Sequence, residues 1–133
     1  MRRLLIAVAS FAFAVAPPAA NSQSAYPTKN IRMIVPVGTG GPSDLVARLL
    51  GEKLAVSLGK PVFIENVPGA SQSIGAGAVA KAEPDGYTLL QAAANMAINP
   101  ILMPELRYDT VKDFAPVSLT HLTPYVFAVS PQS

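Results

Sequence analysis

The chain has 133 residues with ten Lys/Arg, eight Asp/Glu, one His, no Cys and no Trp, and half of its positions are apolar. That length bounds it at one domain or part of one, and the apolar fraction is that of a folding chain rather than a disordered one. The absence of cysteine excludes disulfides, thiolate catalysis and cysteine-ligated zinc, and a lone His121 rules out a histidine-rich metal centre.

Net charge is equally restrictive. The formal +2 comes from Arg2 and Arg3; from Tyr26 onward eight basic residues face eight acidic ones, dispersed along the chain. Nucleic-acid binders carry a basic face or stripe, and no such footprint is present, so nucleic acid is not an expected partner.

The first segment, Met1-Arg2-Arg3, is a charged start followed by a largely apolar run from Leu4 to Val15 and small residues from Ala16 to Ala25. About 20 apolar residues are needed to cross a bilayer core, whereas a shorter run after a basic start suits a secretory signal. Residues 1–25 are therefore read as a signal peptide, with Ala20-Asn21-Ser22 and Ser22-Gln23-Ser24 both acceptable as cleavage sites. An exported body without cysteine fits a bacterial periplasm.

In the body, Ile31 to Val37 is β-rich and runs into Gly38-Thr39-Gly40-Gly41-Pro42-Ser43-Asp44, a strand entering a glycine turn. Leu45, Val46, Leu49, Leu50, Leu54 and Leu58 then recur at helical spacing, with Gly59 placed to end the helix. Val62 to Glu65 predicts a second strand, Asn66 to Ser73 a polar loop, and Ile74 to Lys81 a small-residue helix. Pro84-Asp85-Gly86 marks a turn, and Thr88 to Ala92 a third strand. Met96 to Met103 reads as a helix broken by Pro100, Asp109 to Phe114 as a helical turn, and Val117 to Leu122 and Tyr125 to Val129 as further strands. Strands alternating with helices predict a mostly parallel α/β sheet with right-handed crossovers.

Ligands of open α/β sheets bind outside the carboxyl ends of the strands, which puts Gly38 to Asp44 at the rim of any site. Glycines there let backbone approach a ligand, and the helix start offers unpaired amides and the positive end of its dipole to an anion. A plain tight turn explains the same residues. Ser43 or Asp44 is expected to cap the helix, leaving to an anion only the amides that Asp44 does not take. The second loop repeats the pattern: Asn66, Ser71, Gln72 and Ser73 offer neutral donors suited to a polar organic acid. Asn95 stands where the third strand ends among small residues.

The first turn bears on two nucleotide-binding motifs. A phosphate loop needs Lys and then Ser/Thr after its last glycine, where this chain has Pro42 and Ser43. A dinucleotide fingerprint, Gly38-x-Gly40-x-x-Ser43 with Glu65 for a ribose, lacks its third glycine but keeps a dinucleotide-binding enzyme fragment as an alternative. Catalysis finds no Gly-x-Ser-x-Gly elbow, and the pairs Asp109/Asp113 and Glu83/Asp85 read as solvated or capping groups. No catalytic residue, metal or cofactor is called for.

Ordered motifs then carry a resemblance: Tyr26-Pro27, Pro36, Gly40-Gly41-x-x-Asp44, Asn66-x-Pro68-Gly69-Ala70, Ile74-Gly75, Pro84-Asp85-Gly86-Tyr87-Thr88-Leu89, Asn99-Pro100, and Tyr108-Asp109-x-x-Lys112-Asp113-Phe114-x-Pro116-Val117. Together they resemble the tripartite tricarboxylate transporter substrate-binding family, the Bug or TctC-like periplasmic receptors. The resemblance implies a type II periplasmic binding-protein fold of two α/β domains closing on a small carboxylate, which is passed to a membrane permease. It implies ligand contacts at Gly40, Gly41, Pro42, Ser43 and Asp44 in the first loop and at Pro68, Gly69, Ala70 and Ser71 in the second.

This chain departs from that pattern at Val37, where an aromatic residue is usual, at Val67, where a basic one is common, and at Ser71-Gln72, where glycines are common. The second loop is therefore expected to be stiffer and less cationic. Such receptors run to roughly 300 residues, so residues 26–133 are read as the N-terminal part of the first domain, with the second domain absent. A non-functional remnant is the remaining alternative, and half a cleft is expected to bind weakly.

Overall fold

The computed structural model describes residues 26–124 and 126–132. The leader expected at 1–25 lies outside the described residues, as do Tyr125 and Ser133. The elements alternate: β1 (Ile31–Val35), α1 (Pro42–Leu58), β2 (Val62–Asn66), a short 3-10 turn (Ala70–Gln72), α2 (Ser73–Ala80), β3 (Thr88–Leu90) and α3 (Asn95–Leu102). The strands form a parallel sheet in the order β2-β1-β3, with Met33 opposite both Ile64 and Leu89. This is the parallel α/β arrangement expected from the alternation of elements. With right-handed crossovers, a step to one side of β1 and then over it to the other puts α1 and α2 on opposite faces.

β1 ends at Val35, two residues before the predicted limit, because Pro36 has no N–H to continue a ladder. α1 starts with Gly41 as N-cap and Pro42 in the first turn, and stops at Gly59, whose left-handed φ of 67° lets its N–H reach the Ala55 carbonyl at 3.0 Å. The core lies between α1 and the sheet: Met33, Val35 and Ala47 are buried, with Val37, Leu54, Val62, Ile64 and Leu89 packed around them.

The buried stripe of α1 is Asp44, Ala47 and Gly51, not the leucine face expected from the sequence; Leu45 and Leu49 stay 56% and 63% exposed. Small residues let the helix come close. A Cβ on Gly51 would stand 3.0 Å from the Ile64 Cδ1 atom. Bulkier side chains on that face would hold the helix off the sheet.

Two further expectations are corrected. Pro100 does not break α3: its missing N–H would have bonded the Met96 carbonyl, and that carbonyl accepts the Thr110 hydroxyl instead, at 3.1 Å. The strand predicted at Val117 to Leu122 is not formed. Residues 115–124 and 126–130 carry no ladder among the described residues and are exposed, with Phe114 just before them half-buried. The approach to β3 in that stretch is a side-chain bond from Gln91 Nε2 to Thr120 Oγ1 at 3.1 Å, too little to order a strand. The described part of the strand predicted at Tyr125 to Val129 is likewise extended and unpaired.

Asp109 to Phe114 closes as a single turn, with Asp109 accepting the Val111 and Lys112 amides, the capping role read from its spacing. At the other end of the fold, the Tyr26 hydroxyl donates to the Gly86 carbonyl at 2.7 Å and its ring lies 5.0 Å from Tyr87. Lys29 pairs with Asp85 at 2.8 Å and sits over the Tyr87 ring. The chain from Tyr26 onward is thus tied to the turn before β3.

α2 approaches the sheet at Gly75, where an added Cβ would fall 2.8 Å from both the Pro36 Cβ and the Val67 carbonyl oxygen. Two of the three nearest atoms are backbone, so neither can swing aside. Gly75→Ala is expected to destabilise the fold by about 1–3 kcal/mol, read as a lower urea midpoint with an unchanged m-value; an unchanged midpoint would contradict the close approach.

Candidate functional site

The parallel sheet carries the ends of β1, β2 and β3 to one edge, and each predicted site residue follows one of them. Gly40 to Asp44 follow β1, Pro68 to Ser71 follow β2, and Asn95 opens α3 just after β3. In the order β2-β1-β3 the chain leaves β1 for one side and returns over it to β3 on the other, and open α/β sheets hold their ligands outside the carboxyl ends of such strands.

The first loop is organised by Asp44. Its carboxylate is buried, 2% exposed, and receives four hydrogen bonds. Oδ2 accepts the Gly40 amide at 2.9 Å and Arg48 Nε at 3.0 Å; Oδ1 accepts a second Arg48 nitrogen at 3.0 Å and Asn66 Nδ2 at 2.9 Å. Asn66 Nδ2 also donates to the Val37 carbonyl, and Arg48 to Asn66 Oδ1, both at 3.0 Å. These bonds, chiefly the one from Arg48, hold the Asp44 carboxyl down at about 2.

Neither Ser43 nor Asp44 is the N-cap that the sequence suggested. Gly41 holds that position with no side-chain cap, and Asp44, three residues on, reaches back to the amide of Gly40, whose φ is +85°. Only glycine adopts that φ without strain. Pro42 has no N–H, and the first amide bonded within α1 is that of Leu45, to the Gly41 carbonyl at 3.0 Å. Among the described residues, the amides of Ser43 and Asp44 donate to no protein acceptor, while that of Gly41 closes the turn over Thr39 and Gly40. The Ser43 and Asp44 amides stand at the positive end of a 17-residue helix.

The second loop reaches a similar end by different means. Gly69 takes φ 126°, and Ala70, Ser71 and Gln72 follow at φ 43°, 52° and 73°, three consecutive non-glycine residues in the left-handed region. Each costs about 1 kcal/mol. Side chains of α3 oppose that strain: Asn95 Nδ2 donates to Ser71 Oγ at 2.7 Å, Asn99 Nδ2 to the Ser71 carbonyl at 2.9 Å, and Gln72 Nε2 to Asn95 Oδ1 at 3.1 Å.

The predicted site residues thus form two loops at one edge, with Asn95 touching the second loop. Asp44 is committed to the protein itself. Arg48 and Asn99 were missed as members of the site; Arg48 was legible as the i+4 partner of Asp44 on one helix face. Glu65, offered as a ribose ligand, is taken by Arg32 on the neighbouring strand at 2.6 and 3.0 Å, which also lowers its pKa, so the dinucleotide reading loses its acidic residue. A separate hollow of about 420 Å³ lies between α2 and residues 103–108; it includes Tyr108 and Ser73, the last of the second-loop donors, but none of the residues to which the resemblance assigns ligand contacts.

The family profile described as "Tripartite tricarboxylate transporter family receptor" matches residues 46–133. The chain belongs to this family. It is 41% identical over 133 residues to a UPF0065 protein of Bordetella bronchiseptica and 40% identical over 134 residues to Protein BugT of Bordetella pertussis, in each case over 99% of this chain. It covers 39% and 41% of those two proteins, so it spans about two fifths of the length of these relatives. Among solved structures, one described as a periplasmic transporter is 48% identical with a TM-score of 0.62, over 66% of this chain and 30% of that one. MatC from Rhodopseudomonas palustris with bound malate is 41% identical with a TM-score of 0.62, over 71% of this chain and 33% of that one. The α/β fold with its parallel sheet is therefore part of the fold of these periplasmic receptors.

Because the Asp44 carboxyl is lowered in the folded state, to about 2 from its ordinary 3.8, its contribution to stability is present above pH 4. It is lost as pH falls from about 4 toward 2. Asp44→Asn is expected to lower the urea midpoint at neutral pH, and the gap to the parent should be constant above pH 5 and narrow as pH approaches 2. A gap that does not depend on pH would show that the charge is not what braces the loop.

Proposed function

We propose that this chain is the ligand-contacting N-terminal part of a periplasmic receptor that holds a small carboxylate and passes it to a membrane permease of the tripartite tricarboxylate type. The observation that carries this reading is the pair of amides at the carboxyl edge, those of Ser43 and Asp44, that the protein leaves without acceptors among the described residues. Such N–H groups favour an anion, and their geometry is fixed beforehand because Asp44 has already taken Gly40. Gly40, Pro42 and the Asp44 side chain shape the first loop. Pro68, Gly69, Ala70 and Ser71 form the second wall, with Asn95 behind it. The malate bound to MatC, a structural relative, agrees with this ligand class. On this reading the arrangement binds and releases its ligand.

On this reading residues 1–25 are the secretory leader. Tyr26 supports it, since its hydroxyl and ring are built into the fold against Gly86 and Tyr87 and cleavage has to fall ahead of it. Exported protein is expected to begin at Gln23 or Ala25 by intact mass; a start beyond Tyr26, or retention of the whole leader, would contradict export by cleavage.

Binding is tested by titrating the isotope-labelled chain with malate to about 10 mM, enough to see a millimolar Kd. Shifts are expected at the amides of Gly41, Ser43, Asp44 and residues 70–72, beyond those from sodium chloride at matched ionic strength. Shifts absent from both loops would overturn the carboxylate reading.

A further inference from the structure

In the second loop the side chains of Ser71 and Gln72 join Asn95 in a relay. Gln72 Nε2 donates to Asn95 Oδ1 at 3.1 Å, and Asn95 Nδ2 donates to Ser71 Oγ at 2.7 Å. Because the Ser71 oxygen is accepting, its own proton is left to donate, and no protein acceptor takes it among the described residues. Ser71 is exposed, so that proton meets whatever occupies the edge.

The sense of the relay is set at its buried end. Gln72 Oε1 is a buried acceptor without a partner among the described residues. Reversed, Ser71 would donate to Asn95 and Asn95 to Gln72, and the buried orphan would become an amide NH2. Unpaired buried N–H groups are rarer than under-satisfied carbonyls, so the forward sense is favoured and the serine proton points outward. The backbone of Ser71 is held independently, by Asn99, which is 2% exposed.

We propose that Ser71 Oγ–H donates directly to a carboxylate oxygen of the ligand, and that Gln72 and Asn95 are positioning residues that keep this hydroxyl a donor. The inference rests on the carboxylate reading above and adds a side-chain contact that a glycine loop cannot make. It also limits what stands at this point of the ligand to an acceptor, a carboxylate oxygen and not an amine.

The test compares malate binding by the parent chain, Ser71→Ala and Gln72→Met. Ser71→Ala should bind about tenfold more weakly, as expected for one lost charge-assisted hydrogen bond, with the first-loop amides still shifting at saturation. Gln72→Met removes the orphaned acceptor together with the relay. Its affinity should fall by a similar factor while its thermal midpoint is unchanged or higher, whereas a merely structural Gln72 would lower both together. Parent-like binding by Ser71→Ala, or a joint fall of midpoint and affinity in Gln72→Met, overturns the inference and leaves the carboxylate reading intact. A parent chain that shows no loop shifts with malate overturns both.

Discussion

A buried carboxylate holds the carboxyl edge of this sheet together. Asp44 sits on α1, yet its four hydrogen bonds reach back to Gly40, along the helix to Arg48 and across to Asn66 at the end of β2. A charge removed from water is tolerated only when its lone pairs are filled, and here both oxygens accept twice. Filling them fixes the glycine turn, the start of α1 and the end of β2 relative to one another. The same carboxylate offsets part of the helix dipole. What the first loop can offer an anion is thus a fixed set of N–H groups rather than net positive charge, in keeping with the charge balance from Tyr26 onward.

The parts of the fold legible in the sequence are those fixed by local chemistry. Gly59 ends α1 as the sequence indicates, and the alternation of β-rich and helical stretches leads to the parallel sheet, whereas Pro36 ends β1 two residues before the expected limit. What the pattern hid depends on tertiary context. The leucines carry the periodic signal of α1, but its closest approach to the sheet is made by Ala47 and Gly51, with Leu54 alone of the leucines packed against the core cluster. α3 passes Pro100 only because Thr110, ten residues on, supplies a donor to the stranded Met96 carbonyl. The segment around Val117 has strand composition but no ladder partner, and propensity does not order a strand by itself.

The candidate site was legible as two loops and one asparagine, but not in the division of labour among them. Several of the motifs that carried the family resemblance turn out to be scaffold. Asp85, Gly86 and Tyr87 bind Lys29, Tyr26 and Thr28, and Gly75 admits α2 to the sheet. Kinship is thus written largely in how the chain is held together, while Ser71 and Gln72 stand at the carboxyl edge of the sheet.

The two loops solve one problem by opposite means. The first uses glycine, which takes a left-handed φ without strain, so its shape depends on little beyond Asp44. The second forces Ala70, Ser71 and Gln72 into that region and relies on Asn95 and Asn99 to hold them. Its shape is therefore coupled to the seating of α3. Coupling of this kind is reciprocal: a ligand that requires the strained form of residues 70–72 also favours α3 in place, and a change that loosens α3 weakens that ligand. The first loop, braced within its own helix and the neighbouring strand, escapes this dependence, so loss of α3 should be felt at the second loop and not at the first.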